Sequence, residues 1–141
     1  TYVILVLANS AFIAPLAIWF LQGYFRSIPV QLDEAALIDG TGRLGALYRV
    51  VLPAAKPGLV TVSLLAFIGA WNEVLLALVL TSSEGMRTAP VALHFFMTDY
   101  GVQWGPLTAA AVLTTLPVLI LFLLLQRHFV RGLTAGATTG L

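Results

Sequence analysis

The stretch QLDEAALIDGTGRLGALYRVVLPAAKPG, residues 31–58, is a polar island in a chain that is otherwise greasy on both sides of it. It holds Asp33, Glu34, Asp39, Arg43, Arg49 and Lys56, with glycine and proline placed as if to fold it. The whole chain has 141 residues, 60% of them hydrophobic and only 9% charged, with a mean hydropathy of +0.98. A soluble domain carries about 25% charged residues, so composition alone points to a lipid bilayer. A net charge of +1 argues against nucleic acid as a partner. There is no cysteine, which removes disulfides and thiolate metal sites. His94 and His128 lie far apart without ligand-like spacing; they read as interfacial residues, and no metal site is expected. The first residue is Thr1 and the chain is apolar from the start, with neither a basic n-region nor a small-residue cleavage site. The expectation is the C-terminal part of a longer protein rather than a signal peptide.

Working outward from the island, three segments have the roughly 20 apolar residues that a spanning helix needs: residues 2–22, 59–80 and 106–126. Helices are expected because lipid cannot satisfy backbone N–H and C=O groups. Arg26, Arg43, Arg49 and Lys56 fall between the first two segments, and Arg127 and Arg131 follow the third. Arg87 alone lies between the second and third, so the count is six against one. By the positive-inside rule the island and the C-terminus face the cytoplasm, and the loop 81–105 faces outward. Gly69, Ala66, Ala70 and Ala109 to Ala111 are small enough for close helix packing. Pro15 and Pro117 are expected to bend the first and third spans.

Within the island, Ile28-Pro29 opens a first helix, since proline lacks only an N–H that would be unsatisfied there anyway. Asp33 and Glu34 lie in its first turns, where a helix favours negative charge. Asp39-Gly40 closes it, glycine readily taking the left-handed cap conformation. A second helix is expected from Arg43 to Leu52, with Leu44, Leu47, Tyr48 and Val51 as one apolar stripe, stopped by Pro53. Two helices this short cannot hold themselves together in water. They must lie against the membrane surface and the rest of the bundle, or in a groove on a soluble partner; elementary physics leaves both open.

Glu34-Ala35-Ala36, Gly40 and Val50-Val51-Leu52-Pro53, at this spacing, resemble the EAA motif of binding-protein-dependent ABC transporter permeases, with Val50 where the family has Ile. The flanks IPVQLDEAALIDGTG and RVVLPAAKPGL, the WNEVLLAL at residues 71–78, the RTAPVAL at 87–93 and the tail QRHFVRGLTAGATTGL are similar to the carbohydrate branch, in particular the smaller permease subunit of maltose-type importers. In the tail, Thr139 stands where a lysine is common. The resemblance implies an all-α, polytopic fold: three transmembrane helices of a roughly six-helix core, with the two-helix loop 27–57 cytoplasmic. It implies the membrane-spanning subunit of an ATP-driven importer in a bacterial cytoplasmic (inner) membrane, working with an ATP-binding subunit dimer. A second permease subunit in a heterodimer and an extracytoplasmic solute-binding protein would complete the assembly. Glu34, Ala35, Ala36, Gly40, Leu52 and Pro53 would couple to the ATPase, with Ala35 and Ala36 letting the first helix sit deep in a cleft and Glu34 pairing with a basic residue. The bland alternative for Glu34 is helix N-terminal electrostatics. No cofactor is implied on this chain, since it has no Walker motif or catalytic constellation, and it is not expected to be an enzyme.

Trp71, Asn72 and Glu73 form a second candidate site, a substrate path or outer gate, because an aromatic face and an amide suit a sugar. An acid inside a span is costly and usually faces a cavity or a partner helix. The alternative is structural: Trp71 in the interfacial belt and Asn72 bonded to a neighbouring helix. The loop 81–105, with Arg87, His94, Asp99, Tyr100 and Trp104, would by resemblance touch the binding protein. The tail from Gly132 to Leu141 has no core-forming pattern and reads alone as a disordered end; in related subunits such a tail reaches between the ATPase subunits. The alternative of another class is a fragment of an ion-coupled secondary transporter or a channel. Within the family, a glycerol-phosphate, amino acid or peptide importer is the alternative. A plain membrane anchor fails to explain the island.

Overall fold

The computed structural model describes the backbone of residues 2–81, 84–98 and 101–137, and side chains within these as far as residue 126, that of Glu84 excepted. Helix α1 (Tyr2–Arg26) is followed by α2 (Val30–Ile38), α3 (Gly42–Ala46), a π-helical turn (Leu47–Val51) and α4 (Leu52–Ala54). Then come α5 (Lys56–Trp71), α6 (Leu75–Leu80), α7 (Ala89–Leu93), a two-residue antiparallel ladder of β1 (Met97–Thr98) with β2 (Gly101–Val102), and α8 (Trp104–Ala137). The fold is that of an all-α polytopic membrane protein. Among the described residues, α1 and the part of α8 from Trp104 to Gln126 are each long and apolar enough to cross a bilayer. Phe12 (75% exposed) and Trp19 (73%) project from α1; exposed rows of this kind are a liability in water and the normal state in lipid.

Helix α1 runs past the apolar limit at residue 22 because its backbone is stopped by Pro29, not by polarity: the residue before a proline is pushed out of the helical region. Ser27 ties off the end, its N–H and its hydroxyl both donating to the Tyr24 carbonyl at 3.1 and 2.7 Å. Pro15 and Pro117 both lie inside unbroken helices.

The second span departs from expectation. Residues 59–80 do not form one helix: α5 ends at Trp71 and α6 starts at Leu75. Sixteen residues give about 24 Å, short of the roughly 30 Å of a hydrocarbon core. The cause is Glu73, whose carboxylate captures the first free N–H groups of α6 and so starts a new helix. Nor does Pro53 stop the second island helix at Leu52. The helix passes through it to Ala54 and only then bends by 68° into α5. The preceding π-turn, in which the Leu52 N–H reaches back to the Leu47 carbonyl, widens the helix just where a proline ring would meet the carbonyl four residues earlier.

Three further boundaries move. The loop 81–105 carries α7 and the β1–β2 ladder, and α8 begins at Trp104 rather than at residue 106. The tail expected to be disordered from Gly132 continues α8 to Ala137, since no proline follows Pro117 and the two glycines in it, Gly132 and Gly136, cost an established helix only about 1 kcal/mol each. Asp99, Tyr100 and Thr139, and the side chains of Arg127, His128 and Arg131, lie outside the described residues.

The chain divides into two compact units. One comprises residues 1–15 and 66–124. Its buried side chains include Ala77, Thr81 and Val91. The Tyr2 hydroxyl donates to the Gly85 carbonyl at 3.2 Å, tying the start of α1 to the segment after α6. The other unit comprises residues 16–65 and 125–141 and contains the island. Its core is small: Tyr24, Ala36, Ala46, Ala55, Gly58, Thr61 and Leu64. The stripe predicted from Leu44, Leu47, Tyr48 and Val51 is not its buried face, since Leu44 is 73% and Tyr48 68% exposed. Ala36, Ala46 and Ala55 take that place, at 5%, 0% and 0% exposure.

Candidate functional site

Pro29 holds the N-cap position of α2 with φ −59° and ψ 130°, and no side chain caps the helix; Asp33 lies in the first turn. At the other end the Gly40 N–H donates to the Leu37 carbonyl (3.1 Å) and the Thr41 N–H to the Ala36 carbonyl (3.3 Å). That pair of bonds is a Schellman motif, which needs a left-handed residue at its penultimate position; Gly40 supplies it at φ +78°. Gly42, at φ +66°, turns the chain a second time. Between them Thr41 fastens the corner, its hydroxyl donating to the Ala36 carbonyl at 2.6 Å. The elbow is therefore defined by backbone geometry with one side-chain bolt.

On this elbow Glu34, Ala35, Gly40 and Pro53 are exposed and Leu52 is half-buried. Ala36, grouped with them by the sequence, is turned inward at 5% exposure and closes the packing against the following turn. Any groove that receives α2 therefore meets Glu34 and Ala35, not the Ala36 methyl. An open cavity of about 550 Å³ is lined by residues that include Phe25, Asp33, Leu37, Arg43 and Val51. Sequence reasoning missed Thr41; the signal was a lone hydroxyl residue between two glycines at a corner.

The three candidate path residues sit at the break between α5 and α6. Trp71 stacks on Phe67 with ring centroids 5.4 Å apart. Its indole N–H donates to the Thr114 carbonyl of α8 at 3.1 Å. Glu73 accepts the N–H groups of Leu76 and Ala77 at 2.7 and 3.0 Å, a charge-assisted cap on α6. The exposed Asn72 amide donates to the Ile68 carbonyl at 2.9 Å, which leaves its own carbonyl oxygen and a second N–H to offer. Two of the three side chains are thus engaged in holding the break together. In the segment that follows, the Arg87 guanidinium lies 3.8 Å over the Phe95 ring, while His94 and Trp104 are exposed.

Residues 2–135 match the family described as binding-protein-dependent transport system inner membrane component. The chain is 43% identical over 141 residues to the trehalose/maltose transport system permease protein of Thermococcus litoralis, covering 99% of this chain and 51% of that protein. It is 43% identical over 138 residues to the trehalose transport system permease protein of Mycobacterium tuberculosis, covering 96% and 50%. It is 44% identical over 128 residues to the diacetylchitobiose uptake system permease protein of Streptomyces coelicolor, covering 91% and 46%. The chain spans about half the length of the curated relatives it matches. With an apolar helical frame, a two-helix elbow carrying Glu34, Ala35 and Gly40, and a family match over nearly its whole length, this chain belongs to the inner-membrane components of binding-protein-dependent transport systems.

Proposed function

We propose that this chain is part of the permease subunit of an ATP-driven importer for a sugar or oligosaccharide. In this reading residues 27–57 dock on a cytoplasmic ATP-binding subunit and carry its movement to the membrane helices. The observation that carries the reading is the elbow. Two glycine turns, an internal hydroxyl bolt and a buried alanine core brace the unit, while Glu34 and Ala35 are exposed to meet a partner. A coupling element needs that combination, because a floppy loop absorbs motion that a rigid lever transmits. The carbohydrate branch is favoured because relatives at 43% and 44% identity are named for trehalose, maltose and diacetylchitobiose transport. A second permease subunit, an extracytoplasmic solute-binding protein that meets part of loop 81–105, and cytoplasmic placement of the elbow and the C-terminus belong to the same proposal. ATP is bound by the partner subunit, and this chain supplies no catalytic group of its own.

At the α5–α6 break, Asn72 is the residue best placed to meet a passing hydroxyl, with Trp71 and Glu73 holding the break in shape around it. Uptake of a labelled disaccharide into proteoliposomes of the full-length transporter with its ATPase and binding protein tests the reading. ATP-dependent uptake is expected. Uptake driven by an ion gradient and indifferent to ATP would sink it in favour of a secondary transporter.

A further inference from the structure

The island leaves the end of α1 and returns at the start of α5, and both sides of this neck meet in one contact. Tyr24 lies in the last turn of α1, two residues before Arg26, and is 7% exposed. Gly58 lies in the first turn of α5, two residues after Lys56, and is buried. A Cβ built on Gly58 would fall 2.5 Å from Tyr24 Cγ and 2.6 and 2.7 Å from Cδ1 and Cδ2. Equal approach to three ring carbons means that the ring lies flat on the glycine backbone. All three distances are below any that a real Cβ tolerates, and the obstacle is a rigid ring root, not the tip of a flexible side chain. The surrounding face of α5 is closed as well: Ala55 and Thr61 are 0% and Leu64 1% exposed. Thr61 spends its hydroxyl on the Pro57 carbonyl at 2.9 Å, so it asks nothing of Tyr24. The contact is made by the ring carbons Cγ, Cδ1 and Cδ2 and not by the phenolic oxygen.

We propose that Tyr24 and Gly58 form a clasp that closes the neck of the island, making them positioning residues for coupling. The proposal rests on the ATP-driven reading above. An open neck would let each connection, at Ile28-Pro29 and at Ala55, bend independently when the elbow is pushed, and the push would dissipate locally. With the neck clasped, the elbow, the end of α1 and the start of α5 turn together. The clasp needs complementary shapes at 24 and 58, here a ring against a bare backbone, and it does not need the phenolic oxygen.

The test uses the full-length transporter with its ATPase in proteoliposomes, reading sugar transported per ATP hydrolysed together with the thermal unfolding midpoint of the purified complex. Tyr24→Phe is expected to match the parent in both. Gly58→Ala is expected to lower transport per ATP at least tenfold while the complex still assembles. In the double variant Gly58→Ala/Tyr24→Ala, the ring root that the new methyl strikes is removed, and the two helices can close on each other again. This variant is expected to regain at least a third of the parent ratio and to unfold later than Gly58→Ala. If the double variant transports no better than Gly58→Ala, the glycine serves another purpose and the clasp is overturned. If unfolding midpoints shift and recover but transport per ATP stays at the parent value throughout, the contact is purely structural and the coupling role is overturned. Loss of the ATP-driven reading itself is a separate result: the parent protein would show no ATP-dependent uptake, while the non-additive unfolding of the Tyr24 and Gly58 variants would persist.

Discussion

Two of the helix interruptions among the described residues are made by different means. At residues 40–42 the interruption is written in the backbone, with two glycines at positive φ and the paired N–H bonds of a Schellman motif. At residues 72–74 it is written in side chains, with Glu73 capping α6 and Trp71 tethered to α8. The first lies in the polar island, where water can serve any N–H left over. The second lies between two apolar segments, where a freed N–H has no water to turn to and a carboxylate must take it. A backbone-defined corner keeps its outer face free for a partner. A side-chain-defined break consumes the polar groups that build it, so Asn72 is the residue there with capacity to spare.

If that contrast is right, the two sites fail differently. Glu73→Ala should have the largest effect. It leaves the Leu76 and Ala77 N–H groups unpaired, at about 1–3 kcal/mol for each donor, and should lower the thermal unfolding midpoint of the purified complex. Glu73→Gln keeps an acceptor and should fall between the two. An unchanged midpoint with abolished transport would instead make Glu73 a residue of the path. Gly40→Val comes next, because a β-branched residue at φ +78° is strained by about 1–3 kcal/mol. It should reduce ATP-dependent transport roughly tenfold with little change in assembly. Thr41→Val removes the hydroxyl bolt on Ala36 while keeping the backbone bond, about 1 kcal/mol; transport per ATP should fall severalfold, read in the same proteoliposome assay. Trp71→Phe is the mildest: the ring still stacks on Phe67, and the loss of the bond to the Thr114 carbonyl costs about 0.5 kcal/mol. A small drop in the unfolding midpoint with transport intact is expected. Loss of transport without loss of stability would return Trp71 to the substrate path.

The elbow could be read from residues alone because its determinants are local. Pro29, Asp39-Gly40 and the Gly40-Thr41-Gly42 run act within a few positions of themselves, and the EAA spacing lies on the same stretch. The broken span could not, because hydropathy averages Glu73 into an apolar run and is blind to a carboxylate that turns back on N–H groups three and four residues ahead. Nor could the inward turn of Ala36: an alanine carries no sign of which face it takes, and the face was set by contacts with the chain beyond the corner. The stripe at Leu44 and Tyr48 misled for a related reason. An apolar stripe marks a buried face only when the partner surface belongs to the same chain, and these residues are exposed here. The Tyr24–Gly58 contact joins residues 34 apart, and nothing short of the fold brings them together.

The most direct test of the central claim exploits the absence of cysteine in the chain. Ala35→Cys and Ala36→Cys are placed singly in the full-length protein and paired with single cysteines in the groove of the co-expressed ATP-binding subunit. Disulfide crosslinking is then measured in membranes with and without ATP. The account predicts crosslinks from position 35 whose yield changes with nucleotide, and none above background from the inward-facing position 36. Absence of crosslinks from position 35 at every groove position, with both proteins present and transport active, would contradict the assignment of this elbow as the coupling element.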